Sequence, residues 1–425
     1  MIAPRCRFCK TSLETVFVDL GMSPLSNAYL SSAQLLEMEP FYPLRVFVCH
    51  RCLLVQLPAF TSSEAIFSDY AYFSSYSDSW LAHCQRYAVD ITRTYHLHAN
   101  SQVIEIASND GYLLQYFKPL GVPVLGIEPA QNVAQVAIDA GIETIVAFFG
   151  RSLATSLKKE NRQADLLIGN NVLAHVPDLN DFVAGLDILL APDGVITMEF
   201  PHLMRLMTDN QYDTIYHEHF SYFSLITVQR VFQAHGLLVF DVETLDTHGG
   251  SLRIHACHDT CRKFQGSARR DRLLKAEMDF GLGSLGGYRT FAETVHASKR
   301  QLLDFLIDCR ERGKTIAGYG APAKGNTLLN YCGIREDLLP YTVDRSPHKQ
   351  GRFLPGTHIP IYAVDQIEAT RPDYLLILPW NLKHEIMDQM GGIHRWGGAF
   401  VIPIPSVQIS AAKPNHTDQK EARQR

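Results

Sequence analysis

The sequence predicts an α/β protein in three parts: a small zinc-binding domain at the N-terminus, a central doubly wound domain, and a second Rossmann-like α/β domain. Three observations carry this. Two Cys-x-x-Cys pairs lie within the first 52 residues. Past Leu81 short apolar runs alternate with amphipathic stretches, the pattern of βαβ units. A strand followed by a glycine-rich turn starts the pattern again at Thr315–Gly320.

The chain has 425 residues, more than one hydrophobic core usually organises. Its composition, 46% hydrophobic and 20% charged, is that of a globular protein. A net charge of −5 argues against nucleic acid or an anionic membrane as the main partner. No run is apolar enough to span a bilayer and Met1–Lys10 lacks a signal core, so a cytoplasmic location is expected. Oligomeric state is not legible.

The elements follow in order. Residues 1–80 form the zinc-binding domain, with Cys6-Arg-Phe-Cys9 and Cys49-His-Arg-Cys52 as metal ligands. Four thiolates at about 2.3 Å suit a tetrahedral structural zinc, and a two-residue gap lets each pair chelate from one tight turn. A redox dithiol would need a thioredoxin-like setting, which is absent. Residues 81–260 form the central domain, with strands expected at Val103–Ala107, Pro123–Ile127, Asp165–Ile168, Val195–Phe200, Leu237–Glu243 and Ser251–His255. A helix is expected through Tyr112–Phe117. Residues 261–312 read as a helical connector, with helices over Arg269–Met278 and Thr290–Arg310. Residues 313–410 form the C-terminal domain, with strands at Tyr341–Val343 and Tyr374–Leu378. Residues 411–425 read as a flexible tail.

The turn after the first central strand, Ser108-Asn109-Asp110-Gly111, lacks the G-x-G-x-x-G that brings backbone up to a pyrophosphate. A cofactor without phosphates, such as S-adenosylmethionine (SAM), does not need it. Asp110 suits the cofactor's ammonium group, or else caps a helix. Glu128 ends the second strand, where a carboxylate can accept both ribose hydroxyls. Glu105, Asn109, Phe148, Phe149, Asn170 and Asn171 complete the cofactor-binding candidates, with Phe148-Phe149 offered to the adenine and Asn170-Asn171 on the same rim.

Paired Cys-x-x-Cys, FSDYAYFSSYSDSW, VIEIASNDGYLL, GIEPA, NNVLAHVPDL, YHEHFSYFS, THGGSLR and GYGAPAKGNT occur in this order. Over about residues 6–405 the chain thereby resembles the nucleotide-sugar C-methyltransferases of deoxysugar biosynthesis. The resemblance implies SAM-dependent methylation at carbon 3 of a nucleotide-linked 4-keto-6-deoxyhexose. It also implies His219 as base, with Tyr216, Glu218, His175 and Tyr70 around the sugar. The chemistry fits these residue types: a 4-keto group acidifies the neighbouring C–H, and a His near neutral pKa can take that proton. His217 and His219 can also be read as two residues of one strand.

In Gly318-Tyr319-Gly320-Ala321-Pro322-Ala323-Lys324-Gly325-Asn326, small residues let backbone N–H groups approach phosphate and Lys324 adds a charge. This reads as a cradle for the sugar nucleotide's diphosphate, with Tyr319, Lys324, Asn326, Ser346 and Arg352 as substrate-binding candidates. Asp344 and Lys349 lie in the same stretch. Two other readings stay open: an NAD-linked nucleotide-sugar oxidoreductase using the Gly318 loop and Asp344, and a non-catalytic sugar-nucleotide-binding protein.

Overall fold

A computed structural model describes residues 4–60, 74–76 and 78–411. The Tyr70 candidate, most of FSDYAYFSSYSDSW and the tail from 412 lie outside the described residues. By compactness the chain falls into two discontinuous units, one of residues 1–15, 47–204 and 218–288, the other of 16–46, 205–217 and 289–425.

Strands β1 (Thr15–Ser23) and β2 (Tyr42–Val48) come first. The last residues of β2 pair antiparallel with β3 (Val55–Gln56). The two metal turns share one backbone design. Lys10 N–H donates to Cys6 O at 3.0 Å and Leu53 N–H to Cys49 O at 2.9 Å, and Lys10 and Leu53 both take left-handed φ, 62° and 66°. Each cysteine pair is thereby folded back on itself before the next strand begins.

The first unit is built on a seven-stranded sheet of β4 (Val103–Ile106), β5 (Val124–Ile127), β6 (Thr144–Ile145), β7 (Ala164–Asn170), β8 (Leu190–Pro201), β10 (Leu237–Leu245) and β11 (Ser251–His258). The two-residue strand β9 (Ser221–Tyr222) instead pairs with β3. The sheet order is β10-β11-β8-β7-β4-β5-β6, parallel except that β11 runs antiparallel to both its neighbours. Chain order reverses between β4 and β7, so their carboxyl ends open the crevice where doubly wound sheets bind ligands.

The two faces of this sheet differ. Ile104, Ile106, Leu167, Ile196 and Met198 pack into one apolar core. The other face, under helix α1 (Asp78–Thr94), buries Val103 and Ile168 but also Glu105, Thr197, Glu199, Arg253 and His255. Helices α2 (Gln131–Asp139), α3 (Arg151–Lys159), α4 (Leu179–Leu189), α5 (Leu203–Thr208) and α6 (Leu225–Gln233) follow in sequence.

The helix expected over Tyr112–Phe117 is replaced by two single 3₁₀ turns, Leu114–Tyr116 and Lys118–Leu120. Pro119 has no N–H to continue an α-helix past Lys118, and Gly121, at φ 71°, ends the second turn, so an α-helix begun after Gly111 has no length to run. The expected helical stretches appear as α7 (Ala268–Phe280) and α8 (Phe291–Glu311).

In the second unit, β12 (Ile316–Tyr319), β13 (Thr342–Val343), β14 (Ile361–Tyr362), β15 (Tyr374–Ile377), β16 (Ala399–Ile402) and β17 (Gln408–Ala411) form a sheet of order β14-β13-β12-β15-β16-β17. Only β17 runs antiparallel to its neighbour. This is the Rossmann-like pattern, with its reversal of strand order at β12. Helix α9 (Ala323–Cys332) starts directly after the Gly318–Pro322 turn, and α10 (Gln366–Thr370) and α11 (Lys383–Gln389) follow. Among the described residues no helix is long and apolar enough to cross a membrane.

Candidate functional site

The metal ligands converge. The sulfurs of Cys6, Cys9, Cys49 and Cys52 all lie within 4.8 Å of one another, with Cys6–Cys52 and Cys9–Cys49 each at 3.5 Å. Zinc bonds of about 2.3 Å put tetrahedral sulfurs roughly 3.8 Å apart, so the set fits the ion without rearrangement. Gln56 Nε2 donates to Cys6 Sγ at 3.2 Å, a charge-directed contact from outside the ligand set. Four thiolates leave no open coordination position, which makes this a structural zinc site.

At the carboxyl ends of β4 and β5, three acids meet. Glu105 is fully buried on β4, and burial first, then Glu128 and Asp110, push its pKa well above the ordinary carboxylate range. Glu128 is also pushed up, by burial first and by Asp110. Its two oxygens accept the N–H groups of Asn109 and Ala130 at 2.9 and 2.8 Å. The side chains of Asn109 and Asp110 accept from the backbone of Ser74 and Ser75, at 3.0 and 3.1 Å. The loop is thereby fastened to the 3₁₀ turn Ser74–Tyr76 that precedes α1. Gly111, at φ 78°, makes the turn, and an added Cβ would come within 2.4 Å of Ile142 Cδ1. Crowded carboxyls at a sheet rim are a good receptor for a cation such as the SAM ammonium or sulfonium.

Asn170 is buried at the end of β7, its Oδ1 without a hydrogen-bond partner among the described residues, and Asn171 takes a left-handed φ of 55°. The aromatic pair divides: Phe149 packs edge-on against Phe182 at 5.3 Å, whereas Phe148 is 45% exposed. Phe148 is thus the more open of the two to an adenine.

One group beside this rim was missed in the sequence. Glu199, paired in register with Asn170, receives Arg253 Nη2 and Thr247 Oγ1, each at 2.8 Å, and has His83 Nε2 at 3.3 Å. Burial pushes its pKa up, but hydrogen bonds from His83 and Thr247 and the Arg253 charge outweigh it and hold the group at about 2. Arg253 also reaches Glu243 at 2.8 Å and lies over the Tyr87 ring at 4.4 Å. A signal was available: Glu199 is an acid inside the apolar run VITMEF, and Thr247 and Arg253 both belong to THGGSLR.

His175 and His219 lie together, with ring centroids 4.7 Å apart and edge to face, and Tyr222 sits edge-on to His219 at 6.2 Å. Burial lowers the His175 pKa to about 4, partly opposed by a bond from its ring to the Glu218 backbone. His217 and His219 do not share a strand: His217-Glu218 forms a turn. Tyr216 and His217 belong to the second unit and Glu218 and His219 to the first. His217 packs edge-on to Tyr42 at 5.8 Å, and burial lowers its pKa.

In the second unit, the Gly318 loop is largely engaged by protein. Asp344 Oδ2 accepts Ala321 N–H at 2.7 Å and its Oδ1 accepts Ser346 N–H at 2.8 Å. Asp344, at the place of a dinucleotide's ribose ligand, thus ties the loop to the segment after β13. Tyr319 OH donates to Gln389 Oε1 at 2.6 Å, and buried Asn326 donates to Ser26 O at 2.5 Å. Lys324 Nζ lies 3.2 Å from Asn381 Oδ1 and 4.8 Å from the Trp380 ring centroid. Burial lowers its pKa, opposed by Asp213. Lys349 Nζ donates to Ala321 O at 2.9 Å, while Arg352 is exposed.

Comparison with known proteins agrees with this architecture. Residues 6–67 match the family model "Putative zinc binding domain", 80–242 match "Methyltransferase domain", and 246–405 match "C-methyltransferase C-terminal domain". The chain is 36% identical to C-methyltransferase NovU of Streptomyces niveus over 408 residues, 96% of this chain and 97% of that protein. It is 28% identical to a ubiquinone biosynthesis O-methyltransferase of Bartonella tribocorum (strain CIP 105476 / IBS 506) over 98 residues, 23% of this chain and 40% of that one. Among solved structures, magnesium protoporphyrin IX methyltransferase (ChlM) from Synechocystis PCC 6803 with bound SAH is similar at a TM-score of 0.34 and 13% identity, covering 42% of this chain and 83% of that one. The protein belongs to the C-methyltransferase family that includes NovU, and it is a zinc-containing, SAM-dependent C-methyltransferase.

Proposed function

We propose that the enzyme methylates carbon 3 of a nucleotide-linked 4-keto-6-deoxyhexose. The observation that carries this reading is the buried His175–His219 pair, in the same unit as the carboxylate rim. Methylation at carbon needs a carbanion, and a carbanion needs an acidified C–H and a base. His219 takes the C3 proton, and the 4-keto group receives the electron pair as an enolate. That pair returns through C3 to the methyl of SAM, forming a C–C bond as the C–S bond breaks, and S-adenosylhomocysteine leaves.

His175, with a pKa of about 4, stays neutral at working pH and acts as a hydrogen-bonding partner in place of a second cation. Tyr216 and Tyr70 are the donors for the enolate oxygen, and Glu218 stabilises protonated His219. Glu105, Asn109, Asp110, Glu128, Phe148, Asn170 and Asn171 surround SAM. Lys324 and the Gly318–Asn326 loop, with Ser346 and Arg352, hold the diphosphate.

Deuterium wash-in at C3 tests the base assignment. With S-adenosylhomocysteine in place of SAM, the wild type is expected to exchange the C3 proton of a 4-keto nucleotide sugar in D₂O. His219→Asn is expected to lose both exchange and turnover while binding SAM normally. Near-normal exchange in that variant would sink the assignment.

A further inference from the structure

The zinc turn and the histidine pair are joined by one residue that belongs to neither. Arg7 lies inside Cys6-Arg-Phe-Cys9, and its guanidinium donates to Pro177 O at 2.8 Å and to Leu57 O at 2.5 Å. It also lies over the Phe220 ring, 5.3 Å from the centroid. Pro177 is two residues after His175, and Phe220 directly follows His219. The planar, rigid fork thus hydrogen-bonds the segment after His175 and the end of β3 and lies over the ring beside His219, a geometry that distinguishes arginine from lysine.

Backbone bonds complete the frame. Phe220 N–H donates to Ala174 O at 2.8 Å, joining the residue after one histidine to the residue before the other. Leu57 N–H donates to Phe220 O at 3.0 Å, and Gln56 pairs with Ser221 between β3 and β9. Gln56 then closes the circuit: its Oε1 accepts Arg7 N–H at 2.8 Å while its Nε2 donates to Cys6 Sγ. Asn180 Nδ2 donates to Arg7 O and Phe8 O, at 3.3 and 2.9 Å, which pins the turn to the start of α4.

We propose that the zinc site is a positioning device for the His175–His219 pair and that Arg7 is the positioning residue through which it acts. The inference rests on the reading of that pair as the acting histidines. The ion fixes the conformation of the Cys6–Cys9 turn. The turn aims Arg7, and Arg7 with Gln56 sets the spacing of the two rings. Groups that orient a working side chain without touching substrate typically contribute tenfold to a hundredfold.

Arg7→Met keeps the apolar length of the side chain and removes the fork. In full-length protein carrying one zinc per chain, SAM affinity and the KM for the keto sugar nucleotide are expected to stay within about threefold of wild type. The kcat is expected to fall about tenfold or more. The NMR ring signals of His175 and His219 are expected to move, and those of His98 to stay. Wild-type kcat with unmoved ring signals in zinc-loaded Arg7→Met would overturn the proposal.

If Arg7→Met does not fold with zinc, Arg7→Lys decides. It keeps the charge and reaches one carbonyl, so an intermediate shift of both ring signals supports the proposal and none overturns it. His219→Asn, assayed alongside, separates the two claims. Full turnover there sinks the functional reading, while the ring signals still judge whether the zinc turn positions the pair.

Discussion

Three buried glutamates near one sheet rim show how environment, not residue type, decides chemistry. Glu199 has Arg253, His83 and Thr247 about it and is held at about 2. Its folded pKa lies below the usual unfolded value near 4.3, so its stabilisation is full above about pH 5. That contribution is lost as pH falls toward 2. Glu199→Gln should flatten this acid limb in thermal unfolding, and at neutral pH should cost roughly 3 kcal/mol by leaving Arg253 buried with half its partner gone.

Glu105 runs the other way. Burial raises its pKa, so its presence costs stability as pH rises above the ordinary carboxylate range. Thermal unfolding of Glu105→Gln should be no lower than wild type at pH 7, and a large drop there would contradict its reading as a neutral group. Glu128, also raised, has a different consequence on the proposed role. A cationic cofactor with ribose hydroxyls on this carboxylate favours the ionised form. SAM affinity should therefore weaken as pH falls through the raised Glu128 pKa, with proton release on binding. Calorimetry in buffers of different ionisation enthalpy reads both, and a flat pH response would remove Glu128 from the cofactor.

At the scale of elements, six strands of the central sheet and three of the C-terminal sheet were legible, because strands buried on two faces read as short continuous apolar runs, whereas β6, β14, β16 and β17 were not. The 3₁₀ turns after β4 replaced a helix because Pro119 and Gly121 outweighed an apolar stretch that resembled one. The cofactor candidates at strand ends were legible because sheet topology puts ends on one rim. The Glu199–Arg253 group was not, because it depends on β11 running antiparallel beside β8, a pairing that no local pattern encodes.

Another tertiary cap escaped for the same reason. Glu277, mid-helix in α7 and fully buried, accepts Leu225 and Ile226 N–H at 2.6 and 2.9 Å and meets His202 Nε2 at 2.7 Å. It satisfies the open amide end of α6 from a helix about 50 residues away in sequence. Glu277→Ala should cost about 2 kcal/mol or more by stranding those amides. Unfolding within 0.5 kcal/mol of wild type would show that the cap is dispensable.

At the scale of the whole molecule, an apparently linear series of modules folds as two interleaved compact units, with 16–46 and 205–217 counted with the C-terminal sheet. Sequence texture reports local composition, so it separates zinc turns from βα repeats well. It is blind to a strand such as β1 whose packing partner comes some 270 residues later: Phe17 stacks on Phe291 at 4.7 Å. The same blindness hid Asp213. Fully buried, it accepts Trp380 Nε1–H at 2.6 Å, and burial raises its pKa to about 6 in spite of Lys324. The cysteine ligands needed no such knowledge, since two short chelating turns announce themselves wherever they meet.

The most direct test of the account is the fate of the methyl group. SAM labelled with ¹³C in its methyl is incubated with the enzyme and a nucleotide-linked 4-keto-6-deoxyhexose, and the product is read by NMR. The account predicts a C–CH₃ signal coupled to carbon 3, loss of the original C3 proton and one S-adenosylhomocysteine per product. A methoxy signal, or a C3 proton retained in a methylated product, would contradict it.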